Sequence, residues 1–127
     1  MKSQLYPALW PIAVSLATSL AGQTVIKLGM NRPEAAGAAG RGPLALVIFI
    51  LRSPEVLLGL GLYGIGALAW IAVLARLDLS LAYPFLALNF VLIVLAGRVL
   101  LGEAVPPLRW LGVAVIFAGV VLVARSV

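Results

Sequence analysis

The chain has no cysteine and no histidine, and its 127 residues include only four acids, Glu34, Glu55, Asp78 and Glu103. Without thiols there are no disulfides and no thiolate metal sites. Without imidazole, a zinc or haem centre would rest on carboxylates alone, so no metal is expected. Ser/His and Cys/His nucleophile pairs are excluded outright. Charge is scarce as well: 10% of the residues are charged, against about 25% in an average soluble domain. Together with a hydrophobic content of 64%, this leaves little room for a water-soluble enzyme. Neither enzyme activity nor a cofactor is expected. The nine Lys and Arg give a net charge of +5, which in a soluble protein would suggest nucleic acid. In so apolar a chain they read as contacts to lipid headgroups and as topology signals, with no nucleic-acid partner.

Long apolar runs are what the chain has instead. Crossing a hydrocarbon layer of about 30 Å takes about 20 residues at 1.5 Å each. Segments 9–28, 56–75, 79–101 and 108–124 meet or approach that length. The last follows Pro106 and Pro107, which suit the first turn of a helix and not its interior. Strand alternation is absent, and lipid offers the backbone no water to bond, so each crossing is predicted helical. The fold class predicted is an all-α membrane protein: one four-helix transmembrane domain over residues 1–127.

Between the first two spans, residues 31–43 are rich in Gly, Ala and charge and read as a loop. Residues 44–51 are apolar but too short to span, and Pro54 separates them from the second span. They predict a short interfacial helix or a kinked extension of the second span. Lys2 ahead of an apolar stretch, with Ser19-Leu20-Ala21 further on, mimics a secretion signal. The segment is nevertheless expected to remain as a transmembrane helix. Lys27, Arg32, Arg41, Arg52, Arg98 and Arg109 fall on one side, and Lys2, Arg76 and Arg125 on the other. That bias favours both termini outside.

Gly59-Leu-Gly61-Leu-Tyr-Gly64 is a literal GxGxxG, yet it lies within an uncharged spanning run and not between a strand and a phosphate-facing helix. Close helix contact explains its small residues better. No GxxxxGK occurs, so there is no P-loop nucleotide engine.

The first span carries Ser15, Ser19, Gln23 and Lys27 at intervals of four. At about 100° per residue they drift through roughly a third of the helix circumference. Such a polar stripe should face a bundle interior or a watery cavity. The alternative is that the hydroxyls bond their own helix and Lys27 snorkels. The third span carries Tyr83, Pro84, Asn89 and Arg98, with Glu103 beyond it. Pro84 leaves the Ser80 carbonyl without its helical donor. Asn89, near mid-membrane, wants a hydrogen-bond partner, either a ligand or another helix. The ends of the first and third spans emerge on the same face, so Lys27, Arg98 and Glu103 share it. Two cations there could hold a phosphate; equally, Arg98 could pair with Glu103 and Lys27 snorkel. Tyr6, Trp10 and Trp110 sit near span ends, as aromatic belt residues do, while Trp70 reads as packing. In the fourth span Gly112 and Gly119, with Ala114 and Ala118, make a small-residue seam suited to helix pairing.

The stretch Ala21-Gly22-Gln23 with Lys27, the run Ala82-Tyr83-Pro84 with Leu88-Asn89-Phe90-Val91, and Glu103, Val105, Pro107, Trp110-Leu111-Gly112-Val113 and Gly119 resemble one family. It is the EamA-like, small-multidrug-resistance-like branch of the drug/metabolite transporter superfamily. Within that branch the resemblance is to small subunits that flip aminoarabinose-phosphoundecaprenol. It covers nearly the whole chain and is weakest over residues 31–55.

The resemblance implies an undecaprenyl-phosphate-linked sugar, most simply 4-amino-4-deoxy-L-arabinose, carried from the cytoplasmic to the periplasmic leaflet of a bacterial inner membrane for lipid A modification. It also implies a homodimer or a heterodimer with a paralogous subunit, with Gly112 and Gly119 at the interface. On this reading Lys27 and Arg98 hold the lipid phosphate. Ser19, Gln23, Tyr83 and Asn89 offer hydrogen bonds to the sugar, and Glu103 takes its amine or pairs with Arg98.

Proton-coupled drug exporters of the same branch carry a carboxylate in the first span. Alignment puts Ser19 at that place, and the first span holds no acid at all. Leu86, Leu88 and Phe90 also depart from the exporters' aromatic residue and two glycines. A non-transporting partner subunit is the third possibility, although scaffolding would not require the Ser15 to Lys27 stripe.

Overall fold

The computed structural model describes residues 2–126, with side chains described from residue 5 onward. The Lys2 side chain, counted above for topology, therefore lies outside the described residues. The chain is all-helical among them: α1 Lys2–Met30, α2 Pro33–Arg41, α3 Pro43–Arg52, α4 Pro54–Leu74, α5 Leu79–Val99 and α6 Pro107–Arg125. Four of these, α1, α4, α5 and α6, are long and apolar enough to cross a membrane.

Proline punctuates this architecture. Pro33, Pro43, Pro54 and Pro107 each open a helix, where the missing N–H would be unpaired anyway and the fixed φ is already helical. Pro7, Pro11 and Pro84 sit inside helices, and each leaves a carbonyl one turn earlier without its usual donor.

Residues 31–43 are not a loop. Residues Pro33–Arg41 form α2 and bury Ala35 and Ala38. Alanine has the highest helix propensity of any residue, and four alanines outweigh the two glycines within this segment. Glu34 in the first turn and Arg41 in the last complement the helix dipole. Gly42, at φ 118°, then makes the turn into α3, a conformation that suits glycine. As for residues 44–51, α3 is a helix separate from α4, because Ser53 between them is extended at φ −94°, ψ 109°. Pro54 enforces that break by disfavouring helical backbone in the residue before it.

The principal packing is antiparallel, α1 against α4, with α5 on α1 and α6 on α5 alone. Gly22 and Gly59 meet where α1 crosses α4. A Cβ on Gly22 would lie 2.6 Å from the Gly59 carbonyl oxygen, and the converse distance is also 2.6 Å. Gly59 of the GxGxxG run is therefore a packing glycine. The buried apolar cluster gathers Ala8, Ile12, Leu16, Val73, Leu77, Ala82 and Phe85 near one end of α1, α4 and α5, with Val120 from α6. At the opposite end, where Lys27 and Arg98 lie, α1 and α4 remain in close contact: Val56 is buried, and a Cβ on Gly29 would lie 2.8 Å from its side chain.

Candidate polar groove

The side of α1 turned toward α5 builds the candidate site from four-residue spacing alone. Ser15 is buried and donates to the Gly66 carbonyl of α4 at 2.9 Å. Ser19 and Gln23 are half-buried, and Lys27 is exposed. The run from Ser15 to Lys27 extends about 18 Å at 1.5 Å per residue. Thr18 and Thr24 on the same helix satisfy themselves on the carbonyls of Val14 and Leu20, at 2.6 and 2.8 Å. The self-bonding alternative therefore applies to the threonines, while Ser15 bonds across to α4.

Two cavities open along this stripe. The deeper one, about 250 Å³, takes Ser15 and Ser19 from α1, and Tyr83 and Leu86 from α5. Its α4 wall is Tyr63, Gly66, Ala67 and Trp70. Trp70 meets Tyr83 edge to face, with ring centroids 5.8 Å apart and planes at 88°. Gly66 keeps this wall open to the serines, since a Cβ there would fall 2.7 Å from the Ser19 hydroxyl.

The second cavity, about 230 Å³, lies near the end of the groove. Gln23, Thr24 and Lys27 form its α1 side, and Ile93, Ala96 and Gly97 its α5 side. Leu101 and Glu103 close it from the loop after α5. That loop turns at Gly102, φ 66°, and the Glu103 N–H donates to the Gly97 carbonyl at 2.9 Å. The Glu103 carboxylate folds over Gly97 so closely that a Cβ there would meet its oxygen at 2.7 Å.

Asn89 is carried on α5 between the residues that line the two cavities. Its Oδ1 is buried and has no hydrogen-bond partner. A buried amide oxygen left unpaired costs about 1–3 kcal/mol.

The structure thus gathers Ser19, Gln23, Lys27, Tyr83 and Glu103 around two cavities, whereas Asn89, with its Oδ1 buried, lines neither. Arg98 is exposed and lines neither cavity. It follows Gly97 by one residue, a rotation of about 100°, which turns it off the lining face. Nor does it pair with Glu103: the ion pair found among the described residues joins Arg32 to Glu55. Gly112 and Gly119 lie on the side of α6 turned away from α5, with nothing within 4 Å of a Cβ at either position.

Sequence alone does not single out Tyr63, Trp70 or Thr24 as site residues. Tyr63, Gly66, Ala67 and Trp70 do carry helical spacing, but without a polarity contrast inside an apolar span it marks no face.

A sequence model of the EamA-like transporter family matches residues 40–125. The chain is similar to the probable 4-amino-4-deoxy-L-arabinose-phosphoundecaprenol flippase subunit ArnE of Pseudomonas savastanoi pv. phaseolicola, at 47% identity over 80 residues, 63% of this chain and 70% of the relative. It is 44% identical to the protein of that name from Pseudomonas syringae pv. syringae over 99 residues, 78% of this chain and 90% of the relative. The Pseudomonas fluorescens Pf-5 counterpart is 37% identical over 98 residues, 77% of this chain and 86% of the relative. No solved structure matches.

Proposed function

Because the chain belongs to the EamA-like transporter family and is a multi-pass protein of the bacterial inner membrane, we propose that it is a subunit of a flippase for an undecaprenyl-phosphate-linked amino sugar. The names of its relatives supply the carried lipid, 4-amino-4-deoxy-L-arabinose-phosphoundecaprenol. What carries the reading for this chain is the α1 stripe from Ser15 to Lys27, which faces two cavities instead of lipid.

The physical problem of flipping is to take a charged, hydroxylated head through hydrocarbon while its chain stays in lipid. Moving a bare charge to mid-membrane costs several kcal/mol. A groove open to the side lowers that cost by giving the head polar contacts at each depth. Lys27 receives the phosphate at its end of the groove as a point charge with three donors. Arg98 stands outside the cavity as the cation of the approach. Gln23, Ser19 and Tyr83 then offer donors and acceptors in turn, and the Asn89 amide oxygen accepts from a sugar hydroxyl or amine. The Lys27 end faces the cytoplasm, where six of the nine cations gather.

The complete transporter is a dimer, with a second copy or a paralogous subunit on α6. That helix packs on α5 alone, and the bare Gly112/Gly119 side lets another helix approach closely. The lipid product modifies lipid A once it is in the outer leaflet.

Native mass spectrometry of the purified protein tests this assignment. A bound polyprenyl phosphate carrying an amino sugar is the expected adduct. Bound organic cations in its place would assign the groove to drug export.

A further inference from the structure

Away from the groove, α3 presents an unusual surface. It is ten residues long and buries none of them. Leu44, Val47, Ile48 and Leu51 are all exposed. At about 15 Å it reaches half-way across a hydrocarbon core, so it meets acyl chains only by lying along the membrane boundary. Chain order puts it at the Lys27 end of the bundle, between the end of α1 and the start of α4.

A cavity of about 290 Å³ runs along one side of α3 and reaches Arg41, the last residue of α2. Ala45, Ile48 and Phe49 form an apolar floor, with Arg41 one turn before and Arg52 one turn after. Neither arginine has an acidic partner: Glu55 is held by Arg32, and no other ion pair occurs among the described residues. Two guanidinium groups at the ends of an apolar trough thus lack an anion.

We propose that this trough binds an anionic phospholipid of the surrounding bilayer. Its phosphate sits between Arg41 and Arg52, and the first methylenes of an acyl chain lie over Ala45, Ile48 and Phe49. Guanidinium suits the head because its planar fork bonds phosphate oxygens in pairs. The floor argues for a lipid over free phosphate, since a soluble anion leaves it bare. A second copy of the chain is disfavoured by charge, because self-pairing would set two arginines against two arginines. The carried lipid has its own place at Lys27, and bulk phospholipid greatly outnumbers it. The bound lipid fixes α3 and the end of α2 at the boundary beside the Lys27 end of the groove.

The test is native mass spectrometry of the full chain titrated with phosphatidylglycerol or with phosphatidylethanolamine. Each arginine near an anionic surface contributes about fivefold, so the wild type should prefer phosphatidylglycerol roughly tenfold or more. The pair Arg41→Gln with Arg52→Gln should bring the two lipids near parity, and each single substitution should lose part of the preference. Arg109→Gln, which removes a cation of the same membrane face from α6, should keep it. Glycerol phosphate, the head without chains, should not displace the lipid. Wild-type preference in the double variant, an equal loss in Arg109→Gln, or displacement by glycerol phosphate would each overturn the proposal. Unchanged melting of the variants in detergent separates lost binding from lost fold. If the double variant melts early, the two single substitutions decide: a partial loss of preference in each supports the site, and full preference in both overturns it.

Discussion

Arg76 donates a hydrogen bond of 2.9 Å to the carbonyl of Pro7, the very acceptor that Pro11, four residues on, cannot use. The same guanidinium carbon lies 5.8 Å from the centre of the Trp10 ring. A defect that proline makes in α1 is thus filled from the turn just after α4, beside the buried apolar cluster.

Arg76→Gln should lower stability by about 1–2 kcal/mol, the sum of a hydrogen bond and an exposed cation–π contact. Pro11→Ala restores a backbone donor for the Pro7 carbonyl. Arg76→Gln should then cost less in that background, which a double-mutant cycle of thermal unfolding in detergent would measure.

The α1/α4 crossing makes glycines unequal. Gly22→Ala and Gly59→Ala each force a methyl within 2.6 Å of a facing carbonyl, and should destabilise by about 1–3 kcal/mol. Gly61→Ala and Gly64→Ala meet nothing within 4 Å. They should be neutral or stabilise by up to about 1 kcal/mol through helix propensity. Melting of the four variants side by side checks the ranking.

Asn89 should separate stability from function. Asn89→Leu removes the unpaired buried oxygen, so the empty protein should be as stable as the wild type or more so. Transport should fall roughly tenfold, as expected when one hydrogen bond to a translocating head is lost. Parallel unfolding and vesicle transport assays report both effects.

Gly112→Leu and Gly119→Leu add bulk where the single chain has only open space. Each variant should insert and melt like the wild type. Chemical cross-linking or native mass spectrometry should show loss of subunit pairing.

The four long apolar helices are legible in the sequence because hydropathy and length are direct consequences of the bilayer's thickness. α2 is not, because Ala, Gly and charge suit a loop as well as a short helix, and the choice turns on Ala35 and Ala38 finding a surface to bury against. On α1 the stripe stands out because Ser15, Ser19, Gln23 and Lys27 are polar on an apolar background. Its counterpart on α4 is Tyr63 and Trp70, whose rings differ little from their neighbours. Arg98 illustrates a different limit. Sequence gives its depth beside Lys27, whereas one residue of helix rotation separates it from Gly97 in the cavity wall.

The proposed path of the anionic lipid head ends at Lys27. In vesicles loaded with the amino-sugar lipid, a membrane-impermeant amine reagent counts the sugar amines that reach the outer leaflet. Wild-type protein should bring the inner pool out, Lys27→Gln should leave it in place despite normal insertion, and Lys27→Arg should restore part of the movement. Lys27→Gln vesicles that expose the lipid as fast as the wild type would contradict the account.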